Sequence, residues 1–274
     1  MVISAITPGY FLPSRGTRPF IAGPRRRKPW RLARQVPADF RFCFKLPSSL
    51  THERRLEDIE ASFDAFLEAL SPLQGRLGPL MVQLPRDFGA EELPKLQALL
   101  SRWPSDIPCG VEVRHSEFFH KGAAEQELNR LLISQGANRV MLDVRPLFST
   151  SPQGHPGMIK AQGEKPKRPL HVISTGNFPV VRFIGHVDAE INARYFQPWI
   201  DRLALWIKQG ITLFSLCIPP IIDMRHRWRD GSTMPLPHRS DRHSCLSFPE
   251  SGRSSCSERF RQATRHVDGW PSSV

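Results

Sequence analysis

No hydrophobic run in the 274 residues approaches the roughly 18 to 20 that a membrane helix needs, and no charged start leads into the short apolar core of a secretory leader. No membrane contact is expected, and a cytoplasmic location is. The five cysteines (Cys43, Cys109, Cys217, Cys245 and Cys256) form no C-x-x-C pair, so neither a disulfide framework nor a zinc ribbon is implied. Cys245 and Cys256 stand near His238 and His243, but their spacing fits no familiar ligand pattern, and no metal is expected. Also missing are G-x-G-x-x-G, G-x-x-x-x-G-K-[ST], H-E-x-x-H and G-x-S-x-G. Their absence weakens dinucleotide, P-loop, zincin and serine-hydrolase readings and leaves the cofactor unknown.

Acidic residues are missing from one region. Residues 1–34 hold eight Arg or Lys and no acid, residues 35–214 hold 21 basic and 20 acidic side chains, and residues 215–274 hold nine and six. The net charge of +12 therefore divides into +8, +1 and +3. A basic excess ordinarily points to nucleic acid. Here the central stretch is almost neutral, so the charge distribution does not support such a partner.

What is present in that stretch alternates short apolar runs with amphipathic segments, the pattern of parallel βα units. Strands are predicted at Phe40 to Leu46, Pro79 to Leu84, Gly110 to Arg114, Arg139 to Val144, Val180 to Gly185 and Ile211 to Phe214. Helices are predicted between them. The first has Thr51 as N-cap and Leu56, Ile59, Phe63, Phe66, Leu67 and Leu70 at helical spacing. Others run from about Ala90 to Arg102, Ala123 to Gln135, and Ala189 to Gln209, with Trp199 and Trp206 as core residues at i and i+7. Ser149 to Leu170, with four prolines and three glycines, reads as a long loop. Following a strand, it should lie on the ligand-binding face of a parallel α/β fold. The outer segments, 1–34 and 215–274, show neither period and read as aberrant or disordered.

The central residues resemble the YecE-like family of domains of unknown function. The resemblance is carried by FRFCFKLP (Phe40 to Pro47) with Thr51 and His52, GPLMVQLP (Gly78 to Pro85), GVEVRH (Gly110 to His115), VMLD (Val140 to Asp143), and VRFIGH (Val181 to His186), then Asn192, Pro198 and Trp199. It covers about 35–214 and implies a TIM-like (βα) barrel without implying a reaction. Two of the family's pieces, a second strand near V-E-G-N-T-T-F-Y and a last strand near V-H-T-P-D, are absent as written. Read from the third base of each codon, Ser14 to Ile21 permits the former, and Ser215 to Arg229 permits F-V-H-T-P-D. Both flanks are thus expected to be frame-shifted family sequence around an incomplete barrel.

In such barrels ligand chemistry gathers at the C-terminal ends of the strands. Glu112 and Arg114, two positions apart on one strand, share a face. Glu112 and Asp143 are the candidate acid–base carboxylates, and Lys45, Gln83, Arg114, Arg182 and His186 the candidate binding residues for a small anionic or sugar-like ligand. His52 suits a cap or surface role as well as ligand contact, and His115, of opposite parity to Arg114, should point away. The same residues suit a purely structural ion-pair plug. Two alternatives complete the expectations. One is a nucleic-acid module gripping phosphates through Lys160 to Arg168, with a steep salt dependence; the other is a shifted product without activity.

Overall fold

The computed structural model describes residues 3–4, 40–73 and 75–218, with 3–4 and 217–218 by their backbone alone. These residues belong to one compact unit, and the unit Ile221–Val274 lies outside them. So do the expected N-terminal flank from 5 to 34, the shifted-frame motif at Ser14 to Ile21, and the cysteines and histidines weighed as metal ligands near the C-terminus.

Six parallel strands follow one another in chain order: β2 (Phe42–Lys45), β3 (Leu77–Gln83), β4 (Cys109–Glu112), β5 (Asn138–Asp143), β6 (Val180–Ile184) and β7 (Phe214–Ile218). A two-residue strand, β1 (Ile3–Ser4), adds antiparallel to the β2 edge. Helices α1 (Glu60–Leu70), α2 (Leu93–Ser101), α3 (Ala123–Ser134) and α5 (Ala189–Lys208) fill four of the five crossovers. This is the right-handed βα repeat wound into a curled half-barrel, an incomplete TIM-like barrel.

The curl can be read from side chains. Cys43 of β2, Met81 of β3, Val140 of β5, Val180 of β6, and Phe214 and Leu216 of β7 make one interior cluster. The first and last parallel strands therefore meet across the inside. Gly78 allows the approach, since a Cβ there would stand 2.9 Å from Cys43 Sγ and 3.0 Å from a Phe214 ring carbon. At the same place β3 advances three positions, from Leu77 to Leu80, while β2 advances two, from Phe42 to Phe44. Such a bulge tightens local twist. Alternate strand residues face outward: Phe42, Phe44, Leu80, Val82, Val111 and Val113 pack beneath α1, α2 and α3. Met141, Val181 and Phe183 pack against Trp199 and Trp206 of α5.

Three expectations need correcting. Thr51 caps no helix: Ser49–Glu53 form a π-helical turn in which Thr51 is buried, and α1 begins only at Glu60. Positive φ angles at Arg55, Leu56 and Asp58 hold the chain out of a helix between them. The stretch Ser149 to Leu170 is not all loop, because Pro156–Glu164 forms α4, with the His155 ring accepting the Met158 N–H at its start. The last strand lies further along than Ile211 to Phe214, since pairing with β6 sets Ser215 beside Val181 and Ile218 beside Ile184. Residues 215–218 therefore continue the sheet.

Candidate functional site

Above the apolar interior cluster, the same inward parity brings Lys45, Gln83, Glu112 and Arg182 to the C-terminal ends of β2, β3, β4 and β6. Glu112 is fully buried. Arg114 donates to its Oε1 from Nε at 3.0 Å and from a terminal nitrogen at 2.9 Å. Arg182, from two strands away, donates to Oε2. Lys45 Nζ donates to Gln83 Oε1. Five of the seven expected site residues thus form one group at the mouth.

Its electrostatics are lopsided. Burial works to raise the pKa of Glu112, but Arg182, Arg114 and Lys45 outweigh it and hold the carboxyl down to about 2. A carboxylate that acidic is a poor proton acceptor near neutrality, so Glu112 is suited to a counter-charge role rather than to the general-base role expected. Lys45 is driven the other way. Burial first, then Arg182, Arg114 and Lys165, lower its pKa to about 7, with only Glu112 opposing them. The Lys45 amine is thereby brought near neutral pH.

Asp143 and His186 are elsewhere in role. Asp143 has the outward parity of β5 and accepts the Trp199 indole N–H at 2.8 Å and three donors of Arg145, its main-chain N–H at 3.1 Å and its guanidinium at 3.0 and 2.8 Å. It ties α5 to the barrel and does not join Glu112. The expected second carboxylate is therefore absent from the mouth, because neighbours on one strand point to opposite faces. His186 accepts the Asp188 N–H at Nδ1 (2.9 Å) and meets Thr150 Oγ1 through Nε2 (2.8 Å). With both ring nitrogens engaged, it fastens the β5–β6 connection to the end of β6. Asn192 braces that end by bonding the His186 main chain in both directions.

Two residues join the group that strand-end reasoning did not select. Lys165 follows α4 in the β5–β6 connection, and its pKa is lowered by burial and then by Arg182. Arg168, three residues on, donates to the Arg114 carbonyl at 2.9 Å. The local surplus of basic residues in this segment was the available signal. His52, in the π-helical turn, has its pKa lowered by burial and then by Arg114 and Lys45. His115 points from the mouth toward Glu117, 3.3 Å away, as its parity predicts. Among the described residues no group of three metal-ligating side chains occurs, and no helix is long and apolar enough to cross a membrane.

Comparison with known proteins gives the group its context. The model of the family described as "Protein of unknown function DUF72" matches residues 17–218. The chain belongs to the DUF72 family. It is 42% identical over 192 residues to "UPF0759 protein YecE" of Escherichia coli (strain K12), covering 70% of each chain, and equally so to that of Escherichia coli O157:H7. Two structures of a DUF72 family protein from Enterococcus faecalis V583 match with a TM-score of 0.52 each, at 18% and 19% identity. They cover 70% and 73% of this chain and 72% and 79% of those chains. The match to the DUF72 model runs beyond the limits of about 35 and 214 set by the quoted motifs. At the C-terminal side it ends with β7.

Proposed function

We propose that the mouth of the half-barrel binds a small anionic substrate, as the binding half of an enzyme site. The observation that carries this reading is Arg182. Its side chain is 2% exposed, yet among the described residues its Nε–H has no hydrogen-bond partner. A buried unmet donor costs about 1–3 kcal/mol unless a partner arrives. Around it stand Arg114, Lys45 and Lys165, against the buried carboxylate Glu112 and Glu164, which lies 3.6 Å from Lys165 Nζ. An anion seated there would meet the free N–H and offset the cationic excess.

Thermal unfolding in rising phosphate, at ionic strength held constant with chloride, tests the reading. Saturable stabilisation is expected, about 2.7 kcal/mol at 100 times Kd, and Arg182→Met should remove it. Equal responses of the two proteins, or a response that never saturates, would refute the anion site.

A second reading, a shifted product without activity, has its own support in the six parallel strands of the described residues, where a closed TIM barrel has eight. The coding DNA decides it. The codons of Ser14 to Ile21 and of Ser215 to Arg229 are expected to spell family motifs in the shifted frame, and codons that forbid them end that reading.

A further inference from the structure

Resting on the anion-binding reading, the geometry points to a covalent step at the mouth: Lys45 condenses with an aldehyde or ketone whose anionic group is held by Arg182, giving an imine and water.

The first requirement of such a step is an amine that is oriented and sparingly protonated. Lys45 Nζ is fixed by donation to Gln83 Oε1, which leaves the nitrogen lone pair available once a proton has left. Charged and polar groups face it from each surrounding element: Gln83 from β3, Glu112 and Arg114 from β4, Arg182 from β6, Lys165 from the segment after α4, and His52 from the π-helical turn. Cations outnumber the carboxylates even with Glu164 of α4 counted, 3.6 Å from Lys165 Nζ. Burial and a cationic neighbour are the two devices that make a lysine nucleophilic toward carbonyls.

The second requirement is a means of bringing the carbonyl to that nitrogen. The Arg182 Nε–H, unpartnered among the described residues, offers a hydrogen bond and positive charge to a phosphate or carboxylate, within the same group as the half-buried Lys45. The third is shelter for the imine from bulk water. The segment around α4 lies over the mouth, joined to it by the Arg168 bond to the Arg114 carbonyl and by Arg86, which donates to the Gly163 carbonyl at 2.9 Å.

The atoms balance without an oxidant or reductant. The neutral amine attacks the carbonyl carbon as the C=O electron pair moves to oxygen and a proton passes from nitrogen to that oxygen. The resulting carbinolamine then loses its hydroxyl with the remaining N–H proton as water, leaving the C=N bond. The other lysines are less suited. Lys160 is 61% exposed and pairs with Glu164, and Lys95 sits between Glu57 and Glu92, which hold its proton on.

The test treats the full chain with glycolaldehyde phosphate and sodium cyanoborohydride, whose hydride traps the imine, followed by peptide mass mapping. Lys45 is expected to be modified at least ten times faster than any other lysine, with a rate that rises with pH through a midpoint near 7. Unphosphorylated glycolaldehyde should react about tenfold more slowly. Arg182→Met should erase that difference and, because Arg182 also helps to lower the Lys45 pKa, slow the reaction of both aldehydes, and Lys45→Arg should abolish modification at this position. Circular dichroism establishes that each variant is folded, and site mapping on the unaltered chain needs no variant at all. Modification spread over exposed lysines, or no advantage for the phosphorylated aldehyde, overturns the proposal. If phosphate stabilises the protein through Arg182 while Lys45 stays unmodified, the imine fails and the anion site survives; if neither is seen, both fail.

Discussion

Replacing Lys45 with methionine is expected to stabilise the protein at pH 6. Burial and cationic neighbours bring the folded-state pKa of Lys45 to about 7, against 10.5 ordinarily. The unfolded chain keeps this proton over the interval where the folded chain has released it, so stability rises with pH between about 7 and 10.5. Below 7 both states are protonated and the whole cost is present, about 5 kcal/mol from a shift of this size. Methionine removes the charge and keeps most of the stem volume, but leaves Gln83 without its donor, which takes back about 1–3 kcal/mol. A net gain of roughly 2–4 kcal/mol at pH 6 should remain, shrinking as the pH approaches 10. Urea unfolding at the two pH values measures it. A residue that weakens the fold in this way suits a site shaped for binding or chemistry. Were Lys45 instead part of a structural ion-pair plug, the same substitution would destabilise at every pH.

Glu112→Gln is expected to act in the opposite direction and more strongly. The carboxylate is the counter-charge of Arg114, Arg182 and Lys45, and it is fully buried. Removing one partner of a buried ion-pair group strands the others, at about 3–5 kcal/mol. The sign with pH follows from its folded-state pKa of about 2, below the ordinary 4.5. The depressed value contributes roughly 3 kcal/mol above about pH 4.5, and that contribution is lost as the pH falls toward 2. The variant should therefore unfold at much lower urea at pH 7 and show a flatter acid limb between pH 5 and 2. An unchanged urea midpoint at pH 7 would show that Glu112 is not the counter-charge of the cluster. Loss of phosphate-dependent stabilisation is not expected, because the substitution leaves the cations in place.

The sequence carried the strand order and most of the mouth because both depend on local pattern. Parity alone joined Glu112 to Arg114, and the strand-end rule added Lys45, Gln83 and Arg182. Parity says which residues of a strand share a face, but not which face is inside. Asp143 was misplaced for that reason, since its partner Trp199 lies 56 residues along the chain and no local signal links them. The π-helical turn at Ser49–Glu53 and the positive φ angles at Arg55, Leu56 and Asp58 were hidden in a helical spacing of apolar residues that tertiary packing interrupts. The start of β7 was hidden by a nearly continuous apolar run from Ile211 to Ile218, in which only pairing with β6 fixes the boundary. The cationic role of Lys165 depends on α4 folding over the mouth, and three glycines and four prolines in that stretch disguise the helix.

The fastening of the β5–β6 connection also bears on time as well as affinity. Thr150 to His186, Arg168 to the Arg114 carbonyl and Arg86 to the Gly163 carbonyl hold this segment at both ends and in the middle. None of the three attachments involves the Arg182 Nε–H, so a ligand that reached this seat by passing beneath the segment would undo bonds that the seat does not use. Entry and departure are then slowed by the same factor, and the equilibrium between them is left where the seat itself sets it. A ligand of ordinary strength would stay longer than its affinity suggests.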